Sequence, residues 1–282
     1  MIKVLKAGFY STIQDFGRYG YQEFGVPFSG VMDRKAAAFA NSLVGNYEDE
    51  AVLEMTMLGA SLQFSVNTHI AFSGAQMDAK LNDVEITNNG SIAIKPGDIL
   101  NFGKLKWGFR CYLAVLGGFK TETVMKSKSM CSNITKASRL LKNDELAINA
   151  SSLENQNRYS RIRYDESYIN SSNLEVYVGP EFENLTDAQQ KKLLSIRFTI
   201  SNNNSRMGYQ LNENFQNNLE AIITGPVIPG TVQLTPSGKL IVLMRECQTT
   251  GGYPRVLQLS ETAINSLSQK YTGQAISFKL SK

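Results

Sequence analysis

Four short segments carry the residues that can do chemistry. Gln14-Asp15-Phe16-Gly17-Arg18 sets an amide, a carboxylate and a guanidinium around one glycine. An aspartate three residues from an arginine makes a rigid couple that either holds its own loop or presents the guanidinium to a carboxylate or phosphate. If Arg18 serves a ligand, its removal costs activity and leaves the fold nearly as stable. If it is half of a surface ion pair with Asp15, removal costs about 1 kcal/mol or less. Further on, Ser29 has no histidine or lysine at motif spacing, which argues against a nucleophilic serine. Asp33 is placed to cap a helix whose first N–H groups suit an anion. Ser205-Arg206-Met207-Gly208 offers a second guanidinium, for a ligand or to cover a barrel end with its aliphatic stem. Gln248-Thr249-Thr250-Gly251-Gly252-Tyr253-Pro254 offers an amide, two hydroxyls and a phenol beside two glycines, which suits ligand contact and a tight turn equally.

The elements that position these segments read mostly as strands. Leu62–Val66, Ser91–Ile94, Leu174–Val178, Ile196–Ile200 and Ala275–Leu280 alternate with period two. Cys111–Leu116 and Leu240–Met244 are unbroken apolar runs, expected as central strands buried on both faces. Asp33 and Gly45 bracket a helix through Val44; Thr186 and Ser260 start two more, expected to be peripheral. The excess of Gly and polar groups in the Gln14–Asp33 and Gln248–Pro254 loops predicts that they face one cleft. The polar stretch Ser151–Ser160 reads as a linker between domains at 1–150 and 161–282.

Composition narrows the function. With 29 basic and 25 acidic residues spread along the chain, nothing points to nucleic acid. A single histidine, His69, rules out a multi-histidine metal centre, and no metal site is expected. Cys111, Cys131 and Cys247 are too scattered for a disulfide framework or zinc knuckle. The N-terminus does not read as a signal peptide, and no apolar run approaches the roughly 18 residues of a membrane span, so a soluble cytoplasmic protein is expected. There is no P-loop. Val124-Met125-Lys126-Ser127 lacks the methionine expected after a biotinylated lysine, so no biotin attachment is expected in this chain.

Taken in order, and joined to Ala40-Asn41-Ser42-Leu43-Val44-Gly45-Asn46, the segments from Thr12 onward resemble one family: the C subunit of bacterial 5-oxoprolinase. That KipA-type family is also described as allophanate hydrolase subunit 2, a carboxyltransferase-domain relative of urea carboxylase. The resemblance implies a mainly β fold of two cyclophilin-like, β-barrel-type domains with few short helices. It implies an ATP-dependent amide hydrolase opening 5-oxo-L-proline to L-glutamate with a KipI-like B subunit plus an A subunit, the ATP held by a geometry other than a P-loop or bound with the partner subunit. Arg18 and Arg206 would then bind negative charge, and Asp15 would orient Arg18 or a proton. Gln248, Thr249, Thr250 and Tyr253 would hold the substrate amide, with Gln14, Ser29 and Asp33 lining the site. Two other activities share the resemblance: carboxyl transfer to a urea-type amide, and non-enzymatic antagonism of a KipI-type kinase inhibitor. The chain departs from the family pattern at Ser205, at Lys126-Ser127-Lys128-Ser129-Met130, at Lys136-Ala137-Ser138 and at Glu246-Cys247.

Overall fold

The computed structural model describes residues 1–151 and 164–281. The chain is mainly β, 39% strand and 14% helix. It divides into two compact units, Met1–Gly17 with Asp33–Glu166, and Arg18–Met32 with Ser167–Lys282. The division at 150 expected from composition follows chain order. The units do not, because Arg18–Met32 groups with the second unit, where Ser29 N–H donates to the Arg245 carbonyl at 2.8 Å. Apart from Ser151, the expected linker at 151–160 lies outside the described residues.

The first unit is a curled half-barrel sheet. Its strands are β1 (Ile2–Lys6), β2 (Tyr10–Gln14), β3 (Val52–Thr56), β4 (Ser61–Phe64), β5 (Thr68–Leu81), β6 (Val84–Glu85), β7 (Ile92–Ile94), β8 (Ile99–Val115) and β9 (Glu145–Leu146). The path runs β2-β3-β8-β4-β1-β9, with β5 paired antiparallel along β8. Alternation along β2, β3 and β8 sends Ile13, Leu53, Met55, Leu113 and Val115 into the core. The same pleat gives the opposite face Thr12, Gln14, Glu54 and Tyr112, all buried. Helix α1 (Arg34–Val44) forms as its signals predict: the Asp33 carboxylate accepts from Ala36 N–H at 3.0 Å, and Gly45 closes it at φ 78°.

The second unit is a closed seven-stranded barrel, β10 (Asn173–Val178), β11 (Phe198–Asn204), β12 (Gly208–Asn214), β14 (Thr231–Leu234), β15 (Lys239–Leu243), β17 (Arg255–Leu259) and β18 (Ala275–Leu280). A separate two-stranded ribbon pairs β13 (Gly225–Pro226) with β16 (Thr250–Gly251). Helices α2 (Ser167–Asn170), α3 (Asp187–Ser195) and α4 (Glu261–Ser268) complete it. Thr186 and Gln189 form the predicted capping box of α3, an exposed helix with only Leu193 buried. α4 is not peripheral: Ala263 to Ser268 are all buried, and Ala263, Ile264 and Leu267 join the barrel core.

Candidate functional site

In the first unit, the sequence around Gln14 and Asp15 builds a clasp. β2 ends at Gln14, and Asp15 leaves the sheet as a carboxylate surrounded by donors from a segment over a hundred residues away. Oδ1 accepts from the Ser127 hydroxyl at 2.6 Å, the Ser129 hydroxyl at 2.5 Å and the Gly17 N–H at 2.9 Å. Oδ2 accepts from Lys128 N–H at 2.6 Å, and Asp15 N–H donates to Ser129 Oγ at 3.0 Å. Four donors on one carboxylate fix both the aspartate and the loop it holds. Gln14 adds a fifth tie, donating from Nε2 to the Met130 carbonyl at 2.9 Å. Its Oε1 is buried and has no hydrogen-bond partner among the described residues. The held loop begins with a tight turn in which Met125 and Lys126 take φ 51° and 62°, and Val124 and Ser127 exchange backbone hydrogen bonds. The hydroxyls that make the clasp lie in the Lys126–Met130 segment. Their signal in the sequence is Ser-x-Ser spacing opposite a lone loop aspartate.

The same end of the sheet carries an ion pair. Lys128 Nζ lies 3.4 Å from Glu50 Oε2, with about a quarter of each side chain exposed (25% and 27%). Asn41 Nδ2 donates to the Glu50 carbonyl at 2.8 Å and to the Glu48 carbonyl at 3.2 Å. Asn46 Nδ2 reaches Asn41 Oδ1 and the Val115 carbonyl, while its Oδ1 accepts from Gly117 N–H at 2.7 Å. The family-like Ala40–Asn46 segment therefore ties α1 to the end of β8. Gly118, at φ 71°, leaves the space beside it to the Glu50 carboxylate, which an added Cβ would push aside.

The second unit holds Arg18, Ser29, Arg206 and the Gln248–Pro254 loop. Ser29 and Gly30 both take left-handed backbone, φ 59° and 90°. The Gly30 carbonyl accepts from Arg206 at 2.5 Å, and Arg206 Nε donates to Glu246 Oε1 at 2.6 Å. Sequence reasoning leaves Arg206 between a ligand and a barrel-end cover; in the structure its buried guanidinium secures the Ser29–Gly30 turn. Arg245, also buried, pairs with both carboxylate oxygens of Glu261. A triphosphate needs uncommitted cations or a glycine-rich N–H cradle, and this arginine pair does not fit one. Ser205 Oγ accepts from Met207 N–H at 3.1 Å, so the serine side chain serves the turn. The Gln248–Pro254 segment forms a ribbon edge: Val227 N–H donates to the Thr249 carbonyl and Ile222 N–H to the Gly252 carbonyl. Its exposed side chains are Gln248, Thr250 and Tyr253, while Thr249 is half-buried. Gln14 to Gly17 and Asp33 belong to one unit, Arg18 to Met32 and Gln248 to Pro254 to the other.

Asp33 works as a cap: its carboxylate is taken by Ala36 N–H, and its own N–H donates to Tyr112 Oη at 2.9 Å. Burial, with the charges of Glu54 and Asp33, holds the Tyr112 phenol well above its ordinary pKa. Burial pushes the Cys111 and Cys247 thiols up to about 12. A folded pKa above the unfolded value of roughly 8.5 gives stability that is whole below pH 8.5 and lost as pH rises toward 12. Both thiols are expected to resist a thiol reagent at pH 8 until the chain is unfolded, and thermal stability is expected to fall above about pH 9. Counting modified thiols by mass spectrometry, native against denatured, checks the first. Rapid native labelling at either position would contradict the burial. Among the described residues, no group of His, Cys, Asp and Glu could hold a metal ion, and no helix is long and apolar enough to cross a membrane.

The family model for the carboxyltransferase domain, subdomain A and B, matches residues 24–280. The chain is 32% identical to the 5-oxoprolinase C subunit of Escherichia coli over 99% of its own length and 90% of that protein. Its fold matches the crystal structure of TTHA0988 with a TM-score of 0.86 and 26% identity, covering 99% of this chain and 55% of that one. It therefore spans little more than half of that chain. The Kluyveromyces lactis urea carboxylase structure matches with a TM-score of 0.86 and 25% identity, over 98% of this chain and 27% of that one. The chain belongs to the carboxyltransferase-domain family, subdomain A and B, in which its relatives are 5-oxoprolinase C subunits and urea carboxylases.

Proposed function

We propose that this chain is the C subunit of a cytoplasmic, ATP-dependent 5-oxoprolinase that opens 5-oxo-L-proline to L-glutamate together with a KipI-like B subunit plus an A subunit. The near-full-length identity to the Escherichia coli protein carries this reading. A five-membered lactam is stabilised by amide resonance, and ATP supplies the activation its carbonyl needs before water attacks. The commitment of Arg206 and Arg245 to carboxylates of their own unit supports placing the nucleotide on the partner subunits. This chain's part is to bind and orient the substrate. The half-buried Asp15 and Lys128, backed by the buried Gln14, form one polar site, and the exposed Gln248, Thr250 and Tyr253 form another. Co-expression of the three subunits, followed by assay of ATP-dependent glutamate release with each subunit omitted in turn, tests the proposal. Release that requires all three is the expected result, and an assembled complex that releases none would overturn it. Carboxyl transfer to a urea-type amide is the second reading, favoured by the urea carboxylase likeness. Activity only with a biotin carrier added in trans would select it.

A further inference from the structure

We infer that Lys128, held by Glu50 in the absence of ligand, is the subsite for the carboxylate of a small anionic substrate. The inference rests on the proposed 5-oxoprolinase role and names which part of the substrate this surface takes. Three observations carry it.

The first is the state of the pair. Lys106–Asp78, Lys35–Asp165 and Lys136–Glu122 are open surface pairs, and Arg110–Glu54 is closed, at 4% and 1% exposure. Lys128–Glu50 stands between them, sheltered enough to strengthen a charge interaction and open enough to be reached. At 3.4 Å the contact is longer than the roughly 2.7–2.9 Å of a good charge-assisted hydrogen bond, so an ammonium with three donors is under-used.

The second is how firmly both ends are braced. Asp15 grips Lys128 by its own backbone N–H and by the serines on either side. Asn41 holds the Glu50 backbone, and Gly118 gives the Glu50 carboxylate its seat. Bracing of this kind fixes the two backbones from which the charged side chains reach toward a ligand.

The third is the orphaned Gln14 Oε1, on an amide held against Met130, two residues from Lys128. A buried acceptor without a donor is costly to keep, and the N–H of a lactam is its chemical complement.

The test uses the full chain, alone and in the three-protein complex, titrated with 5-oxo-L-proline and with 2-pyrrolidinone, the same lactam without its carboxylate. Wild type is expected to favour the carboxylate-bearing lactam. Lys128→Met should weaken 5-oxo-L-proline by about tenfold or more, leave 2-pyrrolidinone unchanged and raise KM more than it lowers kcat, with Lys128→Arg recovering part. A loop brace alone would weaken both lactams together, so equal losses overturn the inference. An active complex whose Lys128→Met variant keeps the wild-type KM overturns it and leaves the proposed function standing. A complex that makes no glutamate from 5-oxo-L-proline overturns the proposed function, and this inference with it.

Discussion

Asp15→Ala is expected to release the loop from Val124 to Met130 and to destabilise the first unit by about 3 kcal/mol, a large effect for one partly exposed residue. The carboxylate receives two hydroxyls and two backbone N–H groups at 2.5 to 2.9 Å. Its removal takes an acceptor from the Ser127 and Ser129 hydroxyls, whose side chains are buried at 1% and 0% exposure. Hydrogen bonds to a charged group contribute roughly 1.5–3 kcal/mol each when removed singly, but four that share one carboxylate do not add. Asp15→Asn should cost less than alanine, yet more than its shape suggests, because an amide NH2 then faces the Lys128 N–H. Urea unfolding measures the loss, and hydrogen exchange localises it. Lys128 and Gly17 amides should lose protection in both variants. Wild-type exchange at Lys128 in Asp15→Ala would show that the loop is held by something else.

Much of this was legible in the sequence where the signal is local. Asp33 and Gly45 bracket α1 because a cap and a left-handed stop act within one turn of the helix. Thr186 and Gln189 do the same for α3. Period-two alternation finds β10 and β18 because one face of each meets the barrel core. The long strands β5 and β8 are under-read: Gly74, Gly103 and Gly108 interrupt them, and register shifts between Gly74 and Ala79 break the alternation. The buried role of α4 is missed because a helix against a barrel looks locally like one on its rim. At the site, the Gln14–Arg18 segment is recognisable as special, but its partners are not. No spacing rule links Asp15 to Ser127 and Ser129, or Lys128 to Glu50. These contacts exist only because the chain returns past the end of β2 after crossing the whole sheet.

Arg18→Ala tests the residue on which the sequence placed most weight, and the structure changes the expected outcome. A guanidinium presented to a ligand from a flexible loop could be deleted at little cost in stability, and an exposed pair with Asp15 at about 1 kcal/mol or less. Arg18 is instead 0% exposed and is among the largest fully buried side chains of the described residues. Its loop is closed around it: Arg18 N–H donates to the Phe28 carbonyl at 2.6 Å, Gln22 Nε2 donates to the Arg18 carbonyl at 2.8 Å, and Tyr19 meets Phe28 edge-on at 5.5 Å. Alanine there removes a buried charge from its partners and leaves a cavity, which together should cost about 3–5 kcal/mol. Arg18→Lys keeps the charge but not the planar fork, and should cost less. Unfolding of Arg18→Ala within about 1 kcal/mol of wild type would contradict the burial. A loss of turnover of a hundredfold or more in Arg18→Lys, measured where that variant is fully folded, would assign Arg18 an electrostatic role in the reaction as well. If turnover in both variants only tracks the folded fraction, Arg18 acts on the reaction solely through the shape of the Arg18–Met32 segment. The anion-binding work then falls to cations that can still be reached by solvent, Lys128 among them.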